Sequence, residues 1–315
     1  MKIAILDDYQ DAIRRLKAFE KMSGYDVTIY NDSLSNVDAL ARRLADSEAL
    51  VLLRERTSVT DALLARLPKL KVISQTGGGM GHIDQAACQR HGVTVLAGTG
   101  SPYAAAELTW GLVLAAMRHI PEEVANLKAG RWQRTLGMML RGRTLGIFGY
   151  GKIGQLVAGY GKVFGMHVLV WGRESTMQRA SEAGIEVAKS KKDFFERADV
   201  LTLHLRLNDD CRGIVTADDL ARMKPDSLLV NTSRAQLIFP GALEEALKAG
   251  QPGQAAIDVF DEEPLIYHPM LDLPNLLATP HLGWVVRERY ELYFGEAFDN
   301  LLTYIDDQSF KNLSD

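Results

Sequence analysis

The chain is poor in cysteine, in net charge and in long apolar runs, and each shortage argues against a class of function. It has only Cys88 and Cys211 in 315 residues. Neither has a CxxC partner, so they read as reduced thiols and not as a disulfide framework or a metal site; no metal is expected. A formal net charge of -4, from 36 basic and 40 acidic residues, gives no field strong enough to recruit nucleic acid or anionic lipid. No apolar run approaches the roughly 20 residues of a membrane-spanning helix. The opening "MKIAILDDYQ" turns acidic after six residues, unlike a secretory signal, so a cytoplasmic protein is expected.

The 47% apolar and 24% charged residues describe an ordinary globular protein, and the length suits two lobes. Short β-rich runs alternate with helical patterns: "KIAIL", "DVTIY", "ALVLL", "KVISQ" and "VTVLA", then "RTLGIFG", "HVLVW", "VLTLHL", "SLLVN", "QAAIDV" and "NLLATP". That alternation predicts parallel sheets with crossover helices. Eleven strands exceed one comfortable sheet, so they divide after "VTVLA", where "GTGSPY" offers Ser101 as an N-cap and Pro102 as the first helical residue. The following "YAAAELTWGLVLAAMR" is apolar nearly all round and is expected to be buried between the lobes. At the far end, Val286, Tyr290, Phe294, Ala297, Leu301 and Ile305 recur at spacings of three and four, an amphipathic helix able to cap either lobe.

"TLGIFGYGKIGQLVAGYGKVFG" sets Gly149, Gly151 and Gly154 in a GxGxxG pattern directly after a strand and before a helix. GxGxxG alone is a weak signal. Inside a βαβ unit that resumes with "MHVLVWG", it predicts a dinucleotide turn whose helix N-terminus faces a pyrophosphate. The next strand ordinarily ends in an acid for the adenosine ribose. Here the eighteenth residue after Gly154 is Gly172, followed by Arg173. A guanidinium suits a 2′-phosphate, so NADP(H) is favoured over NAD(H), although Glu174 could still reach a ribose hydroxyl.

Ligands of open α/β sheets collect beyond the carboxyl ends of the strands. Three such loops carry polar groups: "NTSRAQLI" with Thr232 and Arg234, "IDVFDEEPL" with Asp258 and Glu263, and "ATPHLGW" with His281. Asparagine and serine build turns and arginine pairs on surfaces, but an arginine, a glutamate and a histidine at successive strand ends of a dinucleotide fold are less easily dismissed.

From "LVLLRERTSVT" through "GGGMGHIDQAACQRHGVTVLAGTG", the GxGxxG turn and these three loops, the chain resembles the D-isomer-specific 2-hydroxyacid dehydrogenases, most closely their 3-phosphoglycerate dehydrogenase branch. The resemblance implies a catalytic triad of Arg234, Glu263 and His281. In it the histidine exchanges the hydroxyl proton while hydride passes between the 2-hydroxy acid and the nicotinamide. A carboxylate beside an imidazole favours its charged form and orients the ring, which is the implied task of Glu263. A guanidinium holds the substrate carboxylate in a planar fork, the implied task of Arg234. By the same resemblance Lys152 and Ile153 line the pyrophosphate, Thr232 sits near the nicotinamide ribose, and Asp258 accepts from the carboxamide. Arg54 faces the substrate, and Gly77, Gly78 and Gly79 offer backbone N–H groups to its carboxylate. Arg56 and Trp284 are further candidates for the substrate wall. Gln75 stands where that branch carries a second arginine, and Gly81 where the family carries an aspartate, which weighs against phosphoglycerate.

The expected architecture is therefore two doubly wound α/β lobes. Residues 1–98 and 287–315 form a flavodoxin-like substrate domain, and residues 99–286 an inserted Rossmann domain that closes on substrate between them. The expected activity is an NAD(P)-dependent D-2-hydroxyacid dehydrogenase working as a homodimer on a small 2-hydroxy or 2-keto acid. An NADPH-dependent glyoxylate or hydroxypyruvate reductase is one alternative, and a nucleotide-sensing corepressor on the same fold is another.

Overall fold

The computed structural model describes residues 1–314, with side chains described through residue 308. It is mixed α/β and contains two parallel sheets. One compact unit comprises Met1–Ser101 with the segment from Val286; the other is Pro102–Val285.

In the first unit, β1 (Lys2–Ile5), β2 (Asp26–Ile29), β3 (Ala49–Leu52), β4 (Val72–Gln75) and β5 (Thr94–Ala97) run in the order β2-β1-β3-β4-β5. This is the 2-1-3-4-5 order of flavodoxin-like sheets. β3 and β4 are buried along their whole length, as expected of central parallel strands covered on both faces. One face packs Ala4, Leu50, Leu52 and Ile73 against Leu40, Leu44, Leu63 and Leu64. The long C-terminal helix, Arg287–Ser314, covers the other face at β4 and β5. It buries Tyr290, Tyr293, Phe294, Ala297, Phe298 and Leu301, while Val286 is left 38% exposed, so the apolar stripe starts one turn later than its sequence spacing suggests. Ser74 donates its hydroxyl to the Ala297 carbonyl at 2.7 Å. Both Glu291 oxygens accept from the backbone amides of Lys17 and Ala18.

The second unit contributes β6 (Thr144–Phe148), β7 (His167–Trp171), β8 (Glu186–Val187), β9 (Val200–Leu203), β10 (Leu228–Asn231), β11 (Gln254–Ile257) and β12 (Leu276–Ala278). Their order is β12-β11-β10-β9-β6-β7-β8. β6 therefore lies between β7 and β9, where the strand order reverses, and Rossmann folds bind dinucleotides at such a reversal. β8 was not legible in the sequence, because a two-residue edge strand carries no period-two pattern.

Two expectations at the start of this unit are corrected. The helix after "GTGSPY" begins at Tyr103, with Pro102 flanking it and no side chain capping its first amides. Ser101 instead gives its carbonyl to the Arg289 side chain. The helix, Tyr103–Met117, is apolar nearly all round as its sequence suggests, but it is not buried on every side. It buries Ala106, Trp110, Val113 and Met117 against the Lys152–Val163 helix, β10 and β11, and leaves Tyr103 59% exposed.

Candidate active site

Tight backbone approach makes the turn after β6 demand glycine. Gly149 has a φ of +101°, and a Cβ there would lie 2.7 Å from the His204 carbonyl oxygen. A Cβ on Gly154 would collide with the Gly149 carbonyl. Around Gly151, by contrast, a Cβ would meet nothing within 4 Å, so the space above the turn is open. The Lys152–Val163 helix starts there without a side-chain cap, leaving its first N–H groups, from Lys152, Ile153 and Gly154, at the positive end of the helix dipole. This cradle fits a pyrophosphate. His204 adds no charge beneath it, because burial drives its imidazole down to about 3.

Beyond β10, Asn231 shapes the next loop. Its amide nitrogen donates to the Arg234 carbonyl at 2.9 Å, and its oxygen accepts from the Ser233 amide at 3.0 Å. The Ser233 hydroxyl donates to the Leu205 carbonyl, and Arg234 Nη1 to the Ser233 carbonyl. Thr109 Oγ1 donates to Ala105, so the 2.6 Å contact between Thr109 and Thr232 is read with Thr232 as donor. The loop is thus a hydrogen-bonded scaffold that holds Arg234 half-buried.

His281 and Glu263 meet in the loops after β12 and β11, with Nδ1 and Oε2 2.5 Å apart. The other carboxylate oxygen of Glu263 accepts from the Phe260 amide at 2.9 Å. Burial pushes the Glu263 carboxyl up, but the His281 hydrogen bond and charge, the Phe260 amide and the Arg234 charge together hold it below its ordinary range. The electrostatic effect of Arg234 on Glu263 brings all three expected residues into one field.

His281 sits in the left-handed region at a φ of +52°, which a residue with a Cβ adopts only when its surroundings impose it. Asp258, fully buried, supplies that constraint. Its carboxylate accepts from Thr279 Oγ1 at 2.6 Å, the Leu282 amide at 2.7 Å and the Gly283 amide at 2.8 Å, gripping the turn on both sides of the histidine. Burial still pushes this carboxyl up against those donors.

Residues 110–283 match the family model described as "D-isomer specific 2-hydroxyacid dehydrogenase, NAD binding domain". The chain belongs to that family. Within it, this chain is 40% identical over 249 residues to a D-3-phosphoglycerate dehydrogenase of Methanocaldococcus jannaschii, covering 78% of this chain and 47% of that one. It is 34% identical over 305 residues to a glyoxylate reductase of Aeropyrum pernix, covering 91% and 89%. A crystal structure of a phosphoglycerate oxidoreductase from Vibrio cholerae superposes with a TM-score of 0.95 at 55% identity, covering 98% of this chain and 99% of that one. The chain spans about half the length of the phosphoglycerate dehydrogenases that it matches.

As a family member the protein has a nicotinamide dinucleotide as its cofactor, and the matched domain contains the glycine turn and the three polar loops. The residues expected on the ribose side, Gly172 and Arg173, follow β7 directly. Arg173 precedes the Glu174–Glu182 helix and is exposed, with Nη2 3.7 Å from the exposed Asp210 carboxylate. A Cβ on Gly172 would lie 2.9 Å from Thr176 Cγ2, so an acid at 172 requires Thr176 to yield.

Arg54, Gly78 and Gly79 belong to the first unit, beyond β3 and β4. Arg54 has a φ of +57° and is held by Thr76 Oγ1 on its amide and by Gln75 Nε2 on its carbonyl. The Gly78 and Gly79 amides donate to no protein group among the described residues. Arg56 gives Nη1 to the Asp7 carbonyl and stacks 4.1 Å from the Tyr9 ring centre, and Trp284 is buried.

Sequence reasoning missed the grip of Asp258 on the histidine turn and the scaffolding by Asn231; in both cases only the fold brings donor and acceptor together. Replacing Asp258 by Asn sets an NH2 group against at least one of three donors, at a cost of about 1–3 kcal/mol. We expect a lower Tm and a kcat reduced far more than coenzyme affinity, measured by thermal unfolding and nucleotide titration. Unchanged turnover would remove Asp258 from the support of His281.

Proposed function

We propose that the chain is an NAD(P)-dependent D-2-hydroxyacid dehydrogenase in which Arg234, Glu263 and His281 act on the substrate. The observation that carries this reading is the 2.5 Å contact of His281 with Glu263, in the field of Arg234 and in the same unit as the glycine turn. The bound nicotinamide supplies a carbon that takes or gives hydride. The protein supplies the proton chemistry and the positioning. With Glu263 ionised, its oxygen accepts from Nδ1–H of His281, leaving Nε2 to take the hydroxyl proton in oxidation or return it in reduction. Arg234 holds the substrate carboxylate in its fork and polarises the reacting carbonyl. Lys152 and Ile153, with Gly149, Gly151 and Gly154, hold the pyrophosphate; Thr232 lies on the nicotinamide ribose side. Asp258 serves by fixing the turn, with the carboxamide as a further donor to it. Arg54, Gly78 and Gly79 bind substrate.

3-Phosphoglycerate is the substrate we favour, supported by Arg54 and by the names of several relatives. Reduction of glyoxylate or hydroxypyruvate is the second reading. It is supported by the Aeropyrum relative, which matches nearly end to end, and by Gln75. We assign the protein to the cytoplasm; among the described residues no helix is long and apolar enough to cross a membrane.

We also propose a homodimer through the second unit. Ile120, Val124, Leu127, Trp132, Leu136 and Met139 are all between 46% and 94% exposed along one segment, more apolar surface than a monomer ordinarily shows to water. The interface centre is then the segment that follows the Tyr103–Met117 helix. Sedimentation should give a dimer that Leu136→Asp dissociates, and a monomeric unmodified protein would contradict the assignment.

The catalytic reading predicts a pH profile. Glu263 has a folded-state pKa below its unfolded one, so the His281 pair is fully formed above the ordinary carboxylate range and is lost as pH falls through the lower, folded value. Keto-acid reduction, followed by loss of reduced-nicotinamide absorbance, should persist as pH falls from neutrality toward about 5, where free carboxylates are still largely ionised. Glu263→Gln should lower kcat at neutrality on the order of 100-fold with coenzyme binding kept. Equal rates in the two proteins would remove Glu263 from the mechanism.

We propose that NADP(H) binds in preference to NAD(H), with Arg173 as the 2′-phosphate ligand. The preference should be of order tenfold, since one charge-assisted hydrogen bond is typically worth about 1.5–3 kcal/mol and about 1.4 kcal/mol is tenfold. Asp210 competes for the same guanidinium. Arg173→Ala should abolish the preference and Asp210→Asn should enlarge it, both read by fluorescence titration. An unmodified enzyme preferring NAD(H) would overturn the assignment.

A further inference from the structure

Tyr293, buried in the first unit, carries a guanidinium from each of two chain segments. Arg289 Cζ lies 4.5 Å from the ring centre and Arg54 Cζ 5.5 Å. Arg289 is itself only 7% exposed. Its Nη2 donates to the Ser101 carbonyl, but Nε and Nη1 are buried with no hydrogen-bond partner among the described residues. A buried guanidinium with two unpaired donor nitrogens is costly, and a second cation on the same ring adds repulsion that Tyr293 only partly offsets.

The neighbouring carboxylates are engaged elsewhere or offset. Glu296 spends one oxygen on the Thr99 amide and the other on the Thr99 hydroxyl. Glu55 lies over Gly79. Arg54 is held toward the glycine run, its Nη1 2.6 Å from where a Cβ on Gly77 would stand. Gly77, at a φ of +76°, thus leaves the space that the guanidinium occupies. Gln75 spends its amide nitrogen on the carbonyls of Arg54 and Thr76 and so fixes the Arg54 backbone without adding charge.

We propose that Arg289 and Arg54 form a two-guanidinium subsite for a second anionic group of the substrate, a phosphoryl or a carboxyl group distal to the reacting 2-hydroxy acid. The unpaired Nε and Nη1 of Arg289 are the donors that this group satisfies. The inference rests on the assignment of the first unit to substrate binding. It adds Arg289 as the residue that sets preference for doubly anionic over singly anionic acids.

The test is calorimetric. Saturated with reduced nicotinamide dinucleotide, the enzyme can bind a hydroxy acid without oxidising it, so affinity is read apart from turnover. D-3-phosphoglycerate should bind at least about tenfold more tightly than D-glycerate, and tartronate, with a second carboxyl, should fall between them. Arg289→Gln should reduce the phosphoglycerate advantage to less than about threefold, and Arg289→Lys, which keeps the charge but loses the fork, should retain only part of it. Equal affinity of the unmodified enzyme for phosphoglycerate and glycerate overturns the proposal, and so does an advantage that survives in both variants. Inorganic phosphate is titrated in parallel. Phosphate binding that depends on Arg289, with no binding of any hydroxy acid, would retain the anion subsite and sink the hydroxy-acid reading. Phosphate binding indifferent to both Arg289 variants would sink the subsite.

Discussion

The site depends on a buried carboxylate that grips a turn. Asp258 sits at the end of β11 with its oxygens committed to Thr279, Leu282 and Gly283, and those bonds hold His281 in a left-handed conformation that an isolated chain would leave. A histidine free to relax would lose the 2.5 Å contact with Glu263, and with it the orientation of its ring. A cost of order 1–3 kcal/mol is stored in such a backbone, and three hydrogen bonds to one buried carboxylate are enough to offset it. In the proposed mechanism, rigid support of this kind would hold His281 within the narrow tolerance that hydride chemistry needs.

The glycine turn and the histidine turn are built on opposite principles. At Gly149 and Gly154 the chain is tight because side chains are absent and backbone must pass close to backbone. At His281 the chain is tight because a neighbour's side chain holds it. The first arrangement leaves bare N–H groups for a polyanion; the second leaves one imidazole nitrogen for a proton. Both lie beyond the carboxyl ends of strands of one parallel sheet, where helix N-termini and loop amides collect.

Much of this was legible in the sequence, for identifiable reasons. Central parallel strands such as "ALVLL" and "SLLVN" are buried on both faces and appear as plain apolar runs, so sheet membership could be read directly. The dinucleotide turn was legible because its sterics admit only glycine at two of three positions. Arg234, Glu263 and His281 were legible because each lies beyond a strand end of a dinucleotide fold, in motifs that resemble those of the dehydrogenase family. What escaped leaves no pattern in the local sequence. The two-residue β8 has no periodicity, and the Ser101 cap gave way to an arginine 188 positions later. Thr176 restricts Gly172 through a contact that only the helix start creates.

The account stands most directly on which nitrogen of His281 carries the proton. Nitrogen-15 NMR of the neutral imidazole reports the tautomer without any turnover. If Glu263 is the ionised acceptor, the neutral ring carries its proton on Nδ1 and leaves Nε2 free, and Glu263→Gln, whose amide can donate to the ring as well as accept from it, weakens that preference. A neutral His281 that carries its proton on Nε2 would contradict the account, because Nε2 could not then accept the hydroxyl proton from the substrate.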